Sequence, residues 1–551
     1  MFNEGQLRYT KLYTSFSLRR LSVIALIVIF ILASTLVLAH YLNCDLSLFV
    51  KNYQQGLRFL SKFISPDISF IPKLIKPLIE TLLVALLASF TGLILAFPLA
   101  GLMSVKLSPH KACSSLFSAS SACLRTIPAL VWAAILVSLF GIGLFSAYLA
   151  LSLIMCLQGS KLLREHIDTL PELRVLSSSA LGLGFFKGLY NVFLPLLKYE
   201  LASVYMILFE SGIRGASILG LVGAGGLGQV LQVQLAYLRY DRLSLVILLL
   251  FALIAVCDLL SHLIRQKIAE LSLSSASGEA GTNAKSLDQL YKRFVFSRAR
   301  LPIFGLASLL ILLAAIVFFV VSDWESIVRG MAQLKALAQG FMQPDFAYAP
   351  KAFGALVEGL AMAALASIVA ACLALCFSVV VVPYCLQEKG SAKLAYLGAK
   401  LLANFLRSFP SIVLAIVFLV VLGPGAFSGV LALICYTTGI LMRYFFEGFI
   451  SYCQDHKMSF QALGLSSFKL YLCIILREFR SYLINLTLYR FESNIRNAAV
   501  LGMVGAGGIG ALLETSIRYR VWDRVALLLY GLILASLILD NLALQIRKRL
   551  N

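Results

Sequence analysis

The sequence predicts an all-α integral membrane protein of about twelve transmembrane helices, built as two tandem six-helix domains with pseudo-two-fold symmetry. Three observations support this class. Of the 551 residues, 60% are apolar and only 13% are charged. The mean hydropathy of +0.91 lies far above that of a soluble domain. Long stretches of the first half also return in the second half at an offset of 282 residues.

Twelve apolar runs approach the length of about 20 residues that a spanning helix needs. The first half contains the runs 21–40, 78–103, 126–140, 144–158, 198–220 and 243–262. The second half contains the runs 302–321, 353–382, 408–422, 426–442, 481–503 and 525–543. In each half the third and fourth runs are short and separated only by Gly-Ile-Gly or Gly-Pro-Gly. This spacing leaves open a tight hairpin or a re-entrant pair.

The formal charge of +21 comes from Lys and Arg residues that cluster between the apolar runs rather than on one basic face. We therefore expect topology signals and no nucleic-acid partner. The loops assigned to the cytoplasm are richer in Lys and Arg, which predicts that both termini are cytoplasmic. The outer loop 41–77, with five basic residues, weakens that prediction. The first run follows Lys11, Arg19 and Arg20 and is expected to be an uncleaved anchor.

The eleven cysteines are scattered, mostly inside apolar runs. Cys372 and Cys376 stand close together without a nearby histidine or acidic residue. We interpret the cysteines as small buried apolar side chains, and we expect neither a disulfide framework nor a metal site.

The chain is an internal duplication. "FESGIRGASILGLVGAGGLG" from Phe209 and "FESNIRNAAVLGMVGAGGIG" from Phe491 share 14 of 20 residues. Between the copies, residues 266–300 are rich in Ser, Gly, Lys and Arg, as in a flexible linker. The predicted domains are therefore 1–265 and 301–551, joined by a cytoplasmic linker at 266–300. An even number of spans per copy gives both copies the same orientation in the membrane.

Each copy contains a glycine-rich turn with the G-x-G-x-x-G spacing of a dinucleotide site. The residues are Gly223, Gly225, Gly226 and Gly228 in the first copy, and Gly505, Gly507, Gly508 and Gly510 in the second. A dinucleotide site needs a strand before the glycines and a βαβ unit around them, whereas here one predicted span precedes and another follows. We favour glycines that permit a sharp turn and close helix packing. The alternative is a nest of backbone N–H groups on a substrate path.

Glu210 with Arg214, and Glu492 with Arg496, are the charge pairs that repeat within a predicted span. A spacing of four residues places both groups on one helix face, where they can pair. A structural salt bridge is the favoured interpretation. The alternative is that the two arginines offer positive charge to an anion crossing between the halves.

The Glu-Arg-glycine blocks, preceded by "LRTIP" or "LRSFP" and an Ala-Leu-Gly segment, resemble the membrane permease of phosphonate ABC importers, within the methionine-permease-like group. The resemblance covers about 78–265 and 353–549. It implies two fused transmembrane domains of a type I importer in the bacterial inner membrane, carrying phosphonate or a related oxyanion such as phosphite or phosphate. It also implies an ABC ATPase dimer and a periplasmic or lipid-anchored substrate-binding protein as partners, besides membrane lipid.

The same resemblance places an ATPase-coupling loop between the fourth and fifth spans of each copy. Ala180 and Gly182, and Ala462 and Gly464, fit its pattern. Leu176 and Met458 stand where the family has Glu, and Arg477 stands where the first copy has Pro195. Those departures put the detailed ATPase contacts in doubt.

The chain has no G-K-[ST] phosphate loop and no Leu-Ser-Gly-Gly-Gln signature, so we expect no enzyme activity and no cofactor in this chain. ATP and Mg²⁺ would bind to the partner ATPase. A permease for methionine or another small solute, or an ion-coupled secondary transporter, remains as an alternative function. A membrane enzyme is disfavoured because no nucleophile or acid–base pair repeats.

Overall fold

The computed structural model describes residues 32–45, 47–108, 110–170, 193–194, 197–223, 225–280, 324–387, 390–462 and 466–550. Those residues form helices and turns without a strand, which confirms the all-α class. They include six helices that are long and apolar enough to cross a membrane, or up to nine spans when bent helix pairs are counted as one. The predicted count of twelve is therefore not reached among these residues. The run 302–321 and most of the run 21–40 lie outside them.

Within the described part of the first copy there are ten helices: α1 (Leu32–Tyr41), α2 (Ser47–Lys51), α3 (Tyr53–Ile64), α4 (Ile71–Met103), α5 (Lys111–Thr126), α6 (Ala129–Phe140), α7 (Leu144–Thr169), α8 (Lys198–Leu219), α9 (Gly226–Ala236) and α10 (Tyr240–Ala280). The second copy begins with α11 (Trp324–Met342), α12 (Ala349–Ser378), α13 (Val381–Gln387), α14 (Gly390–Ser408), α15 (Ser411–Leu422) and α16 (Ala426–Asp455). It continues with α17 (Lys457–Ala462), α18 (Ser467–Leu470), α19 (Leu476–Glu478), α20 (Arg480–Leu501), α21 (Gly508–Arg518) and α22 (Trp522–Leu550).

Helix packing divides the chain into two compact units. The first-copy unit comprises Arg58–Phe346 and Glu514–Leu529. The second-copy unit comprises Met1–Leu57, Ala347–Leu513 and Tyr530–Asn551. Each unit thus combines the body of one copy with a shorter segment from the other. The domain boundaries predicted from the repeat and the linker describe the duplication rather than this packing, and they stay a prediction.

The third predicted span of each copy is the second limb of a bent helix pair. The axes of α5 and α6 differ by 83°, and those of α14 and α15 by 86°. Pro128 and Pro410 lie at the two bends, and the residue before a proline is pushed out of the helical region. Ile127 accordingly has φ −73° and ψ 122°. The fourth span is longer than predicted, because α7 and α16 run for 26 and 30 residues.

Small residues let the helices of each unit approach closely. In the first-copy unit, α4 buries Ala85, Ala88, Ala96 and Ala100 completely. A Cβ on Gly92 would lie only 2.5 Å from the Cβ of Met155 in α7. Close backbone approach through small residues is the usual basis of helix association in membranes, where burial of apolar surface supplies little driving force.

The register between the copies changes once. Helices α4 and α12 begin at residues 71 and 349, an offset of 278, whereas α7 and α16 begin at 144 and 426, an offset of 282. Four additional residues therefore lie between these helices in the second copy. Consistent with this register, Ser89 of α4 corresponds to Ser367 of α12.

The arginines of "YDR" at 240–242 and "WDR" at 522–524, which correspond at the offset of 282 residues, form equivalent ion pairs. Arg242 Nε donates to Asp67 Oδ2 over 3.0 Å, and Arg524 Nε donates to Asp345 Oδ2 over 3.2 Å. Hydrogen bonds from the Ser69 side chain and from Arg242 lower the pKa of Asp67, which lies just outside the span that follows. Each pair links the residues just before a long apolar helix, α4 or α12, to the start of the last helix of the same copy, α10 or α22. All four residues belong to the first-copy unit.

Candidate substrate path and charge networks

The glycine-rich segments form left-handed turns between two helices. Helix α8 passes through a short 3₁₀ turn into Gly223, which has φ +92°, and α9 begins at Gly226, which has φ +68°. In the second copy Gly505 has φ +110°, and the axes on either side of the turn differ by 62°. A side chain at such φ values would be strained, so glycine is required here for backbone reasons.

The last glycine of each motif allows two helices to touch through their backbones. A Cβ on Gly228 would collide with the carbonyl oxygen of Ser217 and lie 2.8 Å from the Cα of Gly220. A Cβ on Gly510 would meet the carbonyl of Ala499 and the Cα of Gly502 in the same way. The favoured interpretation, a sharp turn with close packing, therefore has a geometric basis in both copies.

The chain's own polar groups lie at the helix starts that follow these turns. The Leu227 N–H donates to Thr81 Oγ1 over 2.9 Å. The Glu358 carboxylate lies beside Gly507, since a Cβ there would be 2.6 Å from Oε1. The described residues around both motifs are helical and contain no βαβ unit, so the context of a dinucleotide site is missing. A role of the glycines on a substrate path stays a prediction.

In the first copy the predicted Glu210–Arg214 pair belongs to a larger charge network. Arg214 Nη2 donates to Glu210 Oε1 over 2.6 Å, and its Nη1 lies 3.3 Å from both oxygens of Asp258. Arg265 Nη2 donates to the other oxygen of Glu210 over 3.3 Å. Two arginines and two carboxylates thus join α8 to α10, with balanced charge.

The second copy repeats the helical pair. Arg496 Nη2 donates to Glu492 Oε1 over 3.1 Å, and both side chains are mostly buried. The structure therefore brings together each pair that the spacing predicts. It adds Asp258 and Arg265 to the first pair. These residues lie 44 and 55 positions from their partners in the sequence, so no local spacing rule predicts the contacts. Whether either arginine contacts a substrate stays a prediction.

Helix α20 contains a further arginine, Arg490, whose charge is not repeated in the first copy. A search for charges present in both copies therefore misses it. Arg490 is 7% exposed, and its Nε and Nη2 atoms are buried without a hydrogen-bond partner in the described part of the chain. Its guanidinium lies 5.6 Å from the ring centroid of Tyr436 in α16, a cation–π contact. The signal available in the sequence is an arginine near the middle of the predicted span 481–503 that has no carboxylate three or four residues away.

A polar cluster lies one helical turn further along α20. The Asn494 amide donates from Nδ2 to Ser367 Oγ over 2.9 Å, and Thr437 Oγ1 donates to Asn494 Oδ1 over 3.0 Å. All three side chains are buried. Arg490 and this cluster together form a buried polar region inside the second-copy unit.

The coupling-loop residues are only partly described. Ala180, Gly182 and Gly464 lie outside the described residues. Ala462 is the last residue of α17, a short helix that buries Phe460. The predicted role of all four in ATPase contact stays a prediction.

Two tandem sets of apolar helices, each carrying a partly buried Glu-Arg pair and a glycine turn, define a duplicated multi-pass membrane permease. The family model for "Binding-protein-dependent transport system inner membrane component" matches residues 88–270 and 391–551. These two matches cover most of the chain, and the chain belongs to this family of transport permeases. The predicted resemblance to ABC importer permeases and the internal duplication are thereby confirmed.

Curated relatives carry related descriptions. The phosphate-import permease protein PhnE of Mycolicibacterium smegmatis is 24% identical over 478 residues, which is 86% of this chain and 85% of that protein. The phosphite transport system permease protein PtxC of Stutzerimonas stutzeri is 30% identical over 226 residues, 41% of this chain and 81% of that protein. A solved structure of the MetNI methionine ABC transporter in an inward-facing conformation has 21% identity and a TM-score of 0.32, covering 37% of this chain and 99% of that chain.

Proposed function

We propose that the chain is the permease subunit of an ABC importer that moves phosphonate or a related oxyanion, phosphite or phosphate, across the bacterial inner membrane. A separate ATPase dimer powers transport, and a periplasmic or lipid-anchored binding protein delivers the substrate. One chain supplies both transmembrane halves, so the complex contains one copy of it with two ATPase subunits. Both termini are cytoplasmic.

The observation that carries this proposal is the tandem family match together with relatives described as phosphate and phosphite permeases. The chain spans more than four-fifths of each of those two relatives. The balanced charges around Glu210 and Arg214 favour a rigid link between α8 and α10. Such a link lets the two helices move as one body when ATP-driven closure alternates access from one side to the other.

An uptake experiment tests the proposal. The chain, with the binding protein and the ATPase encoded next to it, is expressed in a bacterial strain that lacks its own phosphate, phosphite and phosphonate importers. We expect growth on at least one of the three as sole phosphorus source, and accumulation of the labelled anion. A catalytically inactive ATPase variant should abolish both.

The controls separate the alternatives. Uptake that persists with the inactive ATPase would contradict ATP-driven import and favour an ion-coupled secondary transporter. Accumulation of labelled methionine without any of the three oxyanions would assign the chain to the small-solute alternative. Nucleotide binding by the purified chain alone would contradict the assignment of ATP and Mg²⁺ to the partner.

Replacing Gly182 or Gly464 by tryptophan should uncouple the ATPase from the permease. Each glycine lies in the proposed coupling loop, where a bulky side chain would obstruct the ATPase surface. We expect normal membrane insertion but loss of substrate-stimulated ATP hydrolysis in the purified complex. Full stimulation in both variants would show that the coupling loop lies elsewhere.

A further inference from the structure

We infer that Arg490 is an oxyanion-binding residue on the transport path of the second copy, and that the first copy has no counterpart. The inference rests on the proposed function, because it names the side chain that contacts the phosphorus oxyanion inside the permease. It also makes the two halves chemically unequal.

The first argument is burial without compensation. Arg490 is 7% exposed, and two of its three guanidinium nitrogens make no hydrogen bond in the described part of the chain. Arginine stays charged in proteins, and a buried charge normally has a hydrogen-bonding partner of opposite sign. An arginine that keeps donors unused at such a position is prepared for a ligand that supplies the acceptors.

The second argument is its position along α20. Arg490 lies midway between Arg480 and Leu501, roughly 15 Å from either end at 1.5 Å per residue. It shares the buried stripe of the helix with Leu483, Asn494 and Ala498. Residues at this spacing lie on one face, so the guanidinium is directed into the helix interior of its unit and not toward lipid. Ionisable groups so placed in membrane proteins mark substrate or ion paths.

The third argument is local charge. The ring of Tyr436 lies 5.6 Å from the guanidinium. In the described part of the chain, no carboxylate accepts a hydrogen bond from its Nε or Nη2. Glu492, the nearest acidic residue in α20, is engaged by Arg496 at 3.1 Å. The site therefore has an excess of positive charge that an incoming anion would neutralise.

The fourth argument is the contrast with the first copy. The glycine motifs and the Gly-Ile-Gly and Gly-Pro-Gly turns fix the offset of 282 residues for these helices. At that offset, four polar residues of the site in α16 and α20 correspond to apolar residues or to glycine, whereas Arg496 corresponds to Arg214. Arg490, Asn494, Thr437 and Tyr436 correspond to Leu208, Gly212, Met155 and Ile154.

Leu208 and Met155 are fully buried in the first-copy unit, and Gly212 packs against Ser89 there. The same positions thus form an apolar core in one copy and a polar cluster in the other. Four differences in two helices are more than a single tolerated substitution, and they indicate a site present in the second copy alone.

The chemistry fits a phosphorus oxyanion. A guanidinium presents paired N–H donors that match two oxygens of a phosphate, phosphite or phosphonate group. A single arginine, rather than a cluster of cations, gives a contact weak enough for the anion to leave toward the cytoplasm. Tyr436 beside it adds a ring surface and a hydroxyl without introducing negative charge.

The test compares three variants of the full chain, assembled with its ATPase and binding protein in proteoliposomes. Arg490→Leu installs the residue that the first copy has, Arg490→Lys keeps the charge, and Arg443→Leu removes an exposed, paired arginine from the same unit. We expect Arg490→Leu to lower the maximal rate of phosphate or methylphosphonate uptake roughly 10-fold to 100-fold, the loss of one charge-assisted contact. The half-saturation concentration, set by the binding protein, should stay unchanged. Arg490→Lys should be intermediate, and Arg443→Leu close to wild type.

Thermal unfolding of the purified chain supplies the readout that a structural role would move. Removing an uncompensated buried charge should leave the melting temperature of Arg490→Leu equal to or above that of wild type. Inorganic phosphate should raise the melting temperature of wild type and Arg443→Leu but not of Arg490→Leu. A lowered melting temperature in Arg490→Leu, with phosphate stabilisation retained in that variant, would overturn the inference in favour of a packing role.

Normal uptake by a folded Arg490→Leu variant would overturn the inference and leave the proposed function standing. Failure of the wild-type complex to transport any of the three oxyanions would instead remove the proposed function, and that outcome is visible without a variant.

Discussion

Gly228→Ala is expected to destabilise the first-copy unit strongly and to abolish accumulation of the folded chain. The added Cβ would collide with the Ser217 carbonyl oxygen and lie 2.8 Å from the Gly220 Cα. Both are backbone atoms, which cannot rotate away, so the helices must separate. Overpacking of this kind costs about 1 to 3 kcal/mol, or more when the backbone itself must move. The melting temperature and the yield of monodisperse protein in detergent measure the effect.

The matched control is Gly354→Ala in α12, where an added Cβ would have no heavy atom of another described residue within 4 Å. There the substitution should be neutral or should stabilise the helix by up to about 1 kcal/mol, because alanine is the better helix former. Gly510→Ala should repeat the loss in the second copy. Equal melting temperatures for Gly228→Ala and Gly354→Ala would mean that the two helices are not in backbone contact.

Glu210→Gln is the second substitution with a large expected effect. It removes the negative charge that both Arg214 and Arg265 contact, at 2.6 and 3.3 Å. Breaking a fully buried pair by removing one partner commonly costs about 3 to 5 kcal/mol, because the other charge is left uncompensated. Here both arginines are about a third exposed, so we expect about 1 to 3 kcal/mol. We expect a lower melting temperature and loss of uptake. Glu447→Gln, in an exposed pair with Arg443, should cost about 1 kcal/mol or less.

The double variant Glu210→Gln with Arg214→Gln separates structure from function at this network. It restores charge balance, since Asp258 and Arg265 remain. If the pair has only a structural role, the double variant should regain the folding and the uptake that Arg214→Gln alone loses. Normal folding with poor transport would instead support a contact between Arg214 and the anion. The same comparison at Glu492 and Arg496 asks the question for the second copy.

Periodicity and repetition predicted much of this fold, and their limits are physical. Apolar runs located the long helices, and Pro128 marks the bend between α5 and α6. The size of that bend, 83°, and the extension of α7 beyond its apolar part depend on tertiary packing. A four-residue spacing predicted Glu210 with Arg214, because it is a property of one helix. The contacts to Asp258 and Arg265 depend on how α8 packs against α10, and no local pattern encodes that.

Arg490 escapes any criterion that requires a charge to repeat in both copies. That criterion finds what the duplication has preserved, such as the Glu-Arg pairs and the glycine turns. It discards by construction a residue that differs between the copies. Any difference in function between the two halves of a duplicated protein depends on residues that differ between the copies. Repeated and unrepeated charges therefore need to be considered separately.

Each unit of this chain contains contacts between residues that the ribosome synthesises far apart in time. Asn52 Nδ2 donates to the Leu422 carbonyl over 3.4 Å, and Ser138 Oγ donates to the Ile517 carbonyl over the same distance, across 370 and 379 residues of sequence. At about 5 to 20 residues per second, roughly 20 to 75 s of translation separate these partners. Neither unit can be completed while the second copy is still being synthesised, so newly inserted helices must wait in the membrane with part of their packing surface uncovered. A chain truncated after its first copy would keep that surface uncovered permanently.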